Sequence, residues 1–276
     1  MSIRGNAANF NSDRRLGTRT QDTTGLIARE QHYLERTQGR FSPELIPAPT
    51  AWFDAAENIT LNGSNVNIWG DKSGNGLDLV QSTTSAQPPY NSSNTALNNL
   101  PSVDCNNDDR METADSSLLD LTSTGGFTTY YVGKIDSFPS TFGFFIGRTN
   151  STSWTLGWGV FQYSGALRWF VNDWNTASQR CETSTPGTTN ANIYKMCYDQ
   201  INITAEIIGP DADSDTQAYT SAVQEPPSEG LLINAGGSTA YDSDFDYAEY
   251  IFYNRPLAAA EQLKVENYLK SKYNIS

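Results

Sequence analysis

Residues 244–253 read Asp-Phe-Asp-Tyr-Ala-Glu-Tyr-Ile-Phe-Tyr, polar residues alternating with large apolar ones. A strand turns successive side chains to opposite faces, so this run predicts a half-buried strand with Phe245, Tyr247, Ile251 and Tyr253 on one face. Upstream, Trp52-Phe53 and the stretches near 66–69, 77–81, 101–105, 127–134, 142–146, 154–161, 166–171, 193–199 and 201–208 read as further short strands. Ser73-Gly74-Asn75-Gly76 is a strong turn. Many short strands with no helix between them predict an all-β fold, an antiparallel two-sheet sandwich. Downstream, Pro256 suits the first turn of a helix. Leu257, Ala258, Val265, Tyr268, Leu269 and Tyr273 then share one side, so a C-terminal helix should pack on the sandwich.

The composition agrees. The chain has 276 residues, 37% hydrophobic, 12% aromatic and 18% charged, which is enough apolar surface for one large β domain. No apolar run approaches the ~18 residues that span a bilayer, so no membrane partner is expected. A single His rules out a His-rich zinc site or a His–His acid–base pair. Cys105, Cys181 and Cys197 read as buried thiols, with a Cys181–Cys197 bridge left open.

The charge is uneven. Residues 1–50 hold seven Arg and five acids, a net of +2, so with a total of −13 the remainder carries −15. An acidic body repels nucleic acid, so none is expected as partner. The opening Met-Ser-Ile-Arg-Gly lacks an apolar segment, which leads to an expectation of synthesis in the host cytoplasm.

Two parts are expected: 1–49 as an extended or helical N-terminal arm, and 50–276 as the sandwich. Residues 1–22 are polar and Arg-rich, 24–38 read as one short helix, and Pro43, Pro47 and Pro49 stiffen the connection. Such an arm cannot bury enough surface to fold alone. It should lie on a neighbouring protein, with Arg14, Arg15 and Arg19 on carboxylates and Phe10 and Leu16 in apolar pockets.

Four ordered segments carry a resemblance. They are Ala51-Trp52-Phe53-Asp54-Ala55 with 69–76 (Trp-Gly-Asp-Lys-Ser-Gly-Asn-Gly), then Leu100-Pro101-Ser102-Val103-Asp104, then 127–132 (Phe-Thr-Thr-Tyr-Tyr-Val), then 248–257 continuing through Glu261 to Tyr273. Together they resemble the concanavalin A-like lectin/glucanase superfamily, in its laminin-G-like branch, as found in phage virion proteins. The resemblance covers roughly residues 50–273. It implies a jelly roll with a concave face that often binds glycans. After Val103-Asp104 the family pattern runs through Gly, whereas this chain has Cys105-Asn106-Asn107-Asp108.

Three chemistries bear on what such a fold could do. Retaining glycosidases need two carboxylates about 5–5.5 Å apart. No Glu-x-Asp-x-Glu or Glu-x-Asp-x-x-Glu strand occurs, Glu225 and Glu229 flank Pro226-Pro227, and Glu249 has no Glu partner on its strand, so no enzyme is expected. Asp242, Asp244 and Asp246 share one strand face and would suit a hard cation such as Ca²⁺, the one cofactor considered, or else form a solvated acidic edge. Asp211, Asp213 and Asp215 are a second such set, in a loop. Residues 154–174 hold four of the six Trp. Trp158 and Trp169 lie in apolar runs and read as core. Trp154 and Trp174 have polar neighbours and are expected to stack on sugar, with Asn172 and Asp173 reading hydroxyls.

The resulting expectation is a virion structural protein: a capsid decoration, fibre or tail-associated component that docks through its arm on other virion proteins. It would be present in many copies or as a homo-oligomer and display a lectin-like domain to host or environmental glycans. The alternatives are a stand-alone carbohydrate-binding module and a glycoside hydrolase.

Overall fold

The computed structural model describes residues 46–106, 109–121, 125–137, 142–150, 154–234 and 243–276. The expected docking arm, with Phe10, Arg14, Arg15, Leu16 and Arg19, lies outside the described residues apart from 46–49, and so does Asp242.

Two antiparallel sheets form the body. The first runs in the spatial order β15 (Asp213–Ala218), β14 (Asn202–Ile208), β13 (Ala191–Tyr198), β8 (Phe127–Ser137), β17 (Asp244–Tyr253), β6 (Leu100–Cys105) and β5 (Tyr90–Asn94). Beside β6, β1 (Ala51–Asp54) pairs with the second half of β17. The second sheet runs β12 (Arg180–Ser184), β11 (Ala166–Val171), β10 (Gly157–Tyr163), β9 (Phe142–Thr149), β16 (Leu232–Ile233), β7 (Met111–Glu112), β4 (Leu79–Val80), β3 (Asn65–Trp69) and β2 (Ile59–Asn62). The expected all-β, two-sheet sandwich is the observed fold.

Between the sheets lies an aromatic core. Trp158 stacks on Phe252 at 5.6 Å and 4°, and Tyr131 on Tyr194 at 4.6 Å and 6°. Trp69, Trp158 and Trp169 have no exposed surface, as their apolar runs predicted for the last two. The three cysteines are free and buried, so Cys181 and Cys197 do not pair. Burial pushes the Cys181 thiol up to about 12 and raises Cys197 as well, which keeps both protonated and inert.

The deciding strand differs from its simple reading. A register shift between Tyr247 and Glu249 leaves Ala248 as an extra residue. Before it, Phe245 and Tyr247 face the inter-sheet core, and after it Tyr250 and Phe252 do. Ile251 and Tyr253 therefore lie on the opposite face from Phe245 and Tyr247. The expected single apolar face is corrected to two half-faces, because one inserted residue inverts a period-2 pattern.

The outward half-face receives the helix α1 (Ala259–Tyr273), which buries Val265, Tyr268, Leu269 and Tyr273. Leu257 is buried ahead of it, whereas Ala258 is exposed. Among the described residues no helix is long and apolar enough to cross a membrane.

Candidate functional site

A cluster of side chains separate from the inter-sheet core lies on the outer face of the second sheet. Strand alternation puts Phe161 and Tyr163 of β10 there, opposite the inward Trp158 and Val160. On β9, a register shift facing the Val160/Phe161 step makes Phe145 the extra residue, so Phe145 and Ile146 both enter the core while Phe142 and Phe144 point out. Phe170 of β11 joins them. Gly159 leaves room for these rings: a Cβ there would meet Phe170 at 2.8 Å and Phe144 at 3.0 Å. The two rings lie across the strand because it carries no side chain at that point.

Two tryptophans from loops close over this bed. Trp174 stands nearly perpendicular to Phe142 (5.3 Å, 81°) and Phe161 (5.4 Å, 86°), and also packs against Tyr163 (5.9 Å) and Trp154 (6.1 Å). Its N–H donates to the Trp154 carbonyl at 3.3 Å, which couples the two loops. Trp154 takes a left-handed φ of 48°, a costly conformation for a bulky residue that the surrounding rings must hold in place. The expectation of an exposed Trp154 is corrected, since only 5% of it is open to solvent. Phe142, Tyr163 and Trp174 are partly open, whereas Phe144, Phe161 and Phe170 are fully covered.

Asn172 and Asp173, expected to read sugar hydroxyls, are hydrogen-bonded within their own loop region. Asn172 is 2% exposed, and its amide donates to Tyr219 Oη (2.8 Å) and the Ala222 carbonyl (3.0 Å) and accepts from Gln224 N (2.7 Å). The Asp173 carboxylate accepts from Asn175 N at 2.9 Å and Thr176 Oγ1 at 2.8 Å. Both shape the loop that presents Trp174, as short polar side chains do when they bond their own backbone. Sequence reasoning passed over Phe142, Phe144, Phe161 and Phe170. The signal was available: apolar residues at both parities of 157–163 leave one set without a place in the core.

The rim of the aromatic bed is charged. Arg168 of β11 lies over the Tyr163 ring, its guanidinium carbon 4.4 Å from the centroid. Its Nε is 2.9 Å from Glu182 Oε1 on β12, and Arg180 Nε donates to the same oxygen at 2.8 Å. Arg180 also donates through Nη1 to the Trp174 carbonyl at 3.1 Å. Burial first, then the neighbouring Arg180, push the Arg168 guanidinium below its usual range.

The acidic strand is rearranged relative to expectation. Asp244 and Asp246 share the outer face of β17, but their carboxylates part. Asp244 gathers with Asp104 and Asp136, their oxygens within 4.8 Å of one another. Asp246 instead accepts from Asn94 Nδ2 (2.8 Å) and Ser102 Oγ (3.4 Å), with Lys134 at 3.6 Å. Burial, then Asp136, push Asp246 up to about 6, and burial likewise raises Asp104. Among the described residues, the carboxylates that a hard cation such as Ca²⁺ would meet together are those of Asp104, Asp136 and Asp244. Asp213 and Asp215 are committed elsewhere: they accept from the backbone amides of Ser184 (2.7 Å) and Glu182 (2.9 Å) on β12. Asp211 accepts from Asn192 Nδ2 at 2.9 Å.

The other acids of interest are tied to buried cations. Glu249, fully covered, accepts from Trp52 Nε1 (2.6 Å), Tyr268 Oη (2.8 Å), Tyr273 Oη (2.8 Å) and Lys272 Nζ (2.8 Å). Lys272 also donates to Asp54 at 2.6 Å, as Lys72 does at 3.0 Å. Burial raises Glu249, whereas on Asp54 the two lysines outweigh burial and lower it. Arg148, 2% exposed, meets Glu225, Asp115 and Asp120.

No protein-family model matches the chain, and no curated sequence is similar to it. Solved structures do share the fold. A Trypanosoma rangeli sialidase in complex with 2,3-difluoro-KDN aligns over 82% of this chain and 33% of its own, at 12% identity and a TM-score of 0.56. An arabinofuranosidase complexed with arabinofuranosyl-α-1,2-xylobiose aligns over 76% and 51%, at 14% identity and 0.52. The binding domain of botulinum neurotoxin DC in complex with SialylT aligns over 82% and 52%, at 10% identity and 0.52. This chain spans from a third to about half of the length of these proteins. The expectation of a non-enzyme is corrected accordingly. It rested on one missing strand motif, and the structures sharing this fold include glycoside hydrolases.

Proposed function

We propose that the domain is a glycan-recognition module, displayed on a virion by the N-terminal arm. One observation carries the recognition reading: Phe142, Tyr163 and Trp174 form a partly open aromatic rim backed by rings with no exposure. One face of a pyranose is lined by C–H groups, and rigid aromatic rings offer it contact area at little entropic cost. A monomeric protein seldom leaves such a group of rings open without use. The ordered motifs that resemble laminin-G-like domains support the same reading, as does a fold shared with a toxin domain solved with SialylT.

Trp174→Ala is expected to weaken binding on a glycan array by at least ~10-fold. Phe161→Ala, in the covered bed, should instead cost about 3–5 kcal/mol of stability. Full binding by the Trp174 variant would remove the rim from consideration. Release of reducing sugar in the same assay would place the chain with the hydrolases whose fold it shares.

Display rests on the arm's composition, seven Arg and no Lys within residues 1–50, ahead of an acidic body. A chain lacking residues 1–22 should fold, remain soluble and fail to enter particles. Incorporation at normal occupancy would sink the docking role.

A further inference from the structure

The charged rim says which glycans the aromatic bed prefers. We propose that the site takes carboxylate-bearing sugars, the acid group seated on Arg168 and Arg180 while the sugar ring lies on Trp174. The inference rests on the glycan-recognition reading and narrows it to one ligand class.

Two guanidinium groups here share a single carboxylate oxygen, Glu182 Oε1. Arg180 donates to it through Nε, and Arg168 brings its Nε within 2.9 Å without completing a hydrogen bond. Among the described residues, Arg180 Nη1 donates to the Trp174 carbonyl, and the hydrogen bonds of the two guanidinium groups leave Arg168 Nη1, Arg168 Nη2 and Arg180 Nη2 for a further acceptor. These groups form the part of an arginine that grips a carboxylate in a two-point fork. Both side chains are largely covered, at 14% and 13% exposure, so solvent screens them less than it would free surface arginines. Their burial also costs more the longer the second positive charge lacks a counter-ion. The aromatic rings fix the distance between the stacked sugar and the charge, since Arg168 sits directly over Tyr163 and Arg180 holds the Trp174 backbone.

The rest of the chain limits the choice further. With a net charge of −13, the protein repels a dense polyanion at distances up to the Debye length of about 8 Å and beyond at low salt. A mostly neutral chain carrying isolated uronic or sialic acid units escapes that repulsion and still offers a carboxylate to the arginines. Heavily sulfated glycans do not.

The test uses the full chain on an array of neutral, carboxylated and sulfated oligosaccharides. The best ligand is then compared with its carboxyl-reduced form, in which each acid has become a hydroxymethyl group. The carboxylated form should bind at least ~5-fold tighter, as a charge-assisted pair warrants. Arg168→Gln should bring that ratio towards one. Glu182→Gln, which frees both arginines, should raise it, a gain that partial unfolding cannot imitate. Equal binding of the two forms, or a preference for sulfated ligands, would overturn the acid-sugar inference and leave the glycan reading standing. An array with no signal of any kind would overturn both.

Discussion

Replacing Glu249 with alanine should destabilise the domain by about 3–5 kcal/mol, the usual consequence of removing one partner from a buried charge cluster. Four donors converge on this side chain, from Trp52 on β1 and from Tyr268, Lys272 and Tyr273 on α1. Without it, the Trp52 indole loses its acceptor at a covered site, at about 1–3 kcal/mol, and the Tyr268 and Tyr273 hydroxyls each lose their shortest one. Lys272 keeps Asp54 and so stays charged, which caps the loss. Glu249→Gln keeps one acceptor oxygen and the shape, so its effect should be roughly half as large. Urea unfolding midpoints check both. A loss below ~1 kcal/mol for the alanine variant would mean that α1 is held by its apolar stripe alone.

Stability should also fall as the pH rises from about 4 to about 7, opposite to the usual carboxylate trend. Asp246 is pushed up to about 6 from an ordinary 3.8, by burial and then by Asp136. Between those values the folded state binds more protons than the unfolded one. The group's favourable contribution is therefore complete below the unfolded value and lost as pH rises through the folded one. The groups facing it are Asp136, Asp104 and Lys134, with Asn94 as hydrogen-bond donor. The shift corresponds to a loss of about 1–2 kcal/mol once solvent screening is allowed for. Asp246→Asn should flatten that part of the profile and be the more stable protein at about pH 8. Identical slopes for the two proteins in urea titrations at several pH values would count against the assignment.

The sandwich was legible because its central strands are apolar on at least one face, and all ten upstream stretches read as strands hold strand residues in the structure. The strands that escaped notice are short or polar edges. β5 reads Tyr-Asn-Ser-Ser-Asn and β15 reads Asp-Ser-Asp-Thr-Gln-Ala, sequences that resemble loops because solvent covers one edge of each. The bulge at Ala248 was invisible for another reason. A period-2 count looks the same with either half of β17 inverted, and only pairing with β8 fixes which side each half faces.

The site was half legible. Trp154 and Trp174 do come together, but neighbour polarity was a poor guide to their surroundings. Asn172 and Asp173 serve the loop as internal acceptors, so their presence beside Trp174 already has an explanation in local folding. The phenylalanines that build the bed come from three strands, β9, β10 and β11, and a sequence window cannot see across those pairings. The Arg168–Glu182–Arg180 group is likewise a cross-strand arrangement, with Arg168 directly opposite Glu182.

Asp213 and Asp215 have a bearing on crowding. Their carboxylates occupy the amides of Ser184 and Glu182, which β12 would otherwise present as an open row to any passing strand. The two sheets are thereby stitched along one seam by side chains, without a shared backbone ladder. Copies packed at high local density cannot zip together through this flank, so colloidal behaviour there is governed by charge repulsion between acidic bodies.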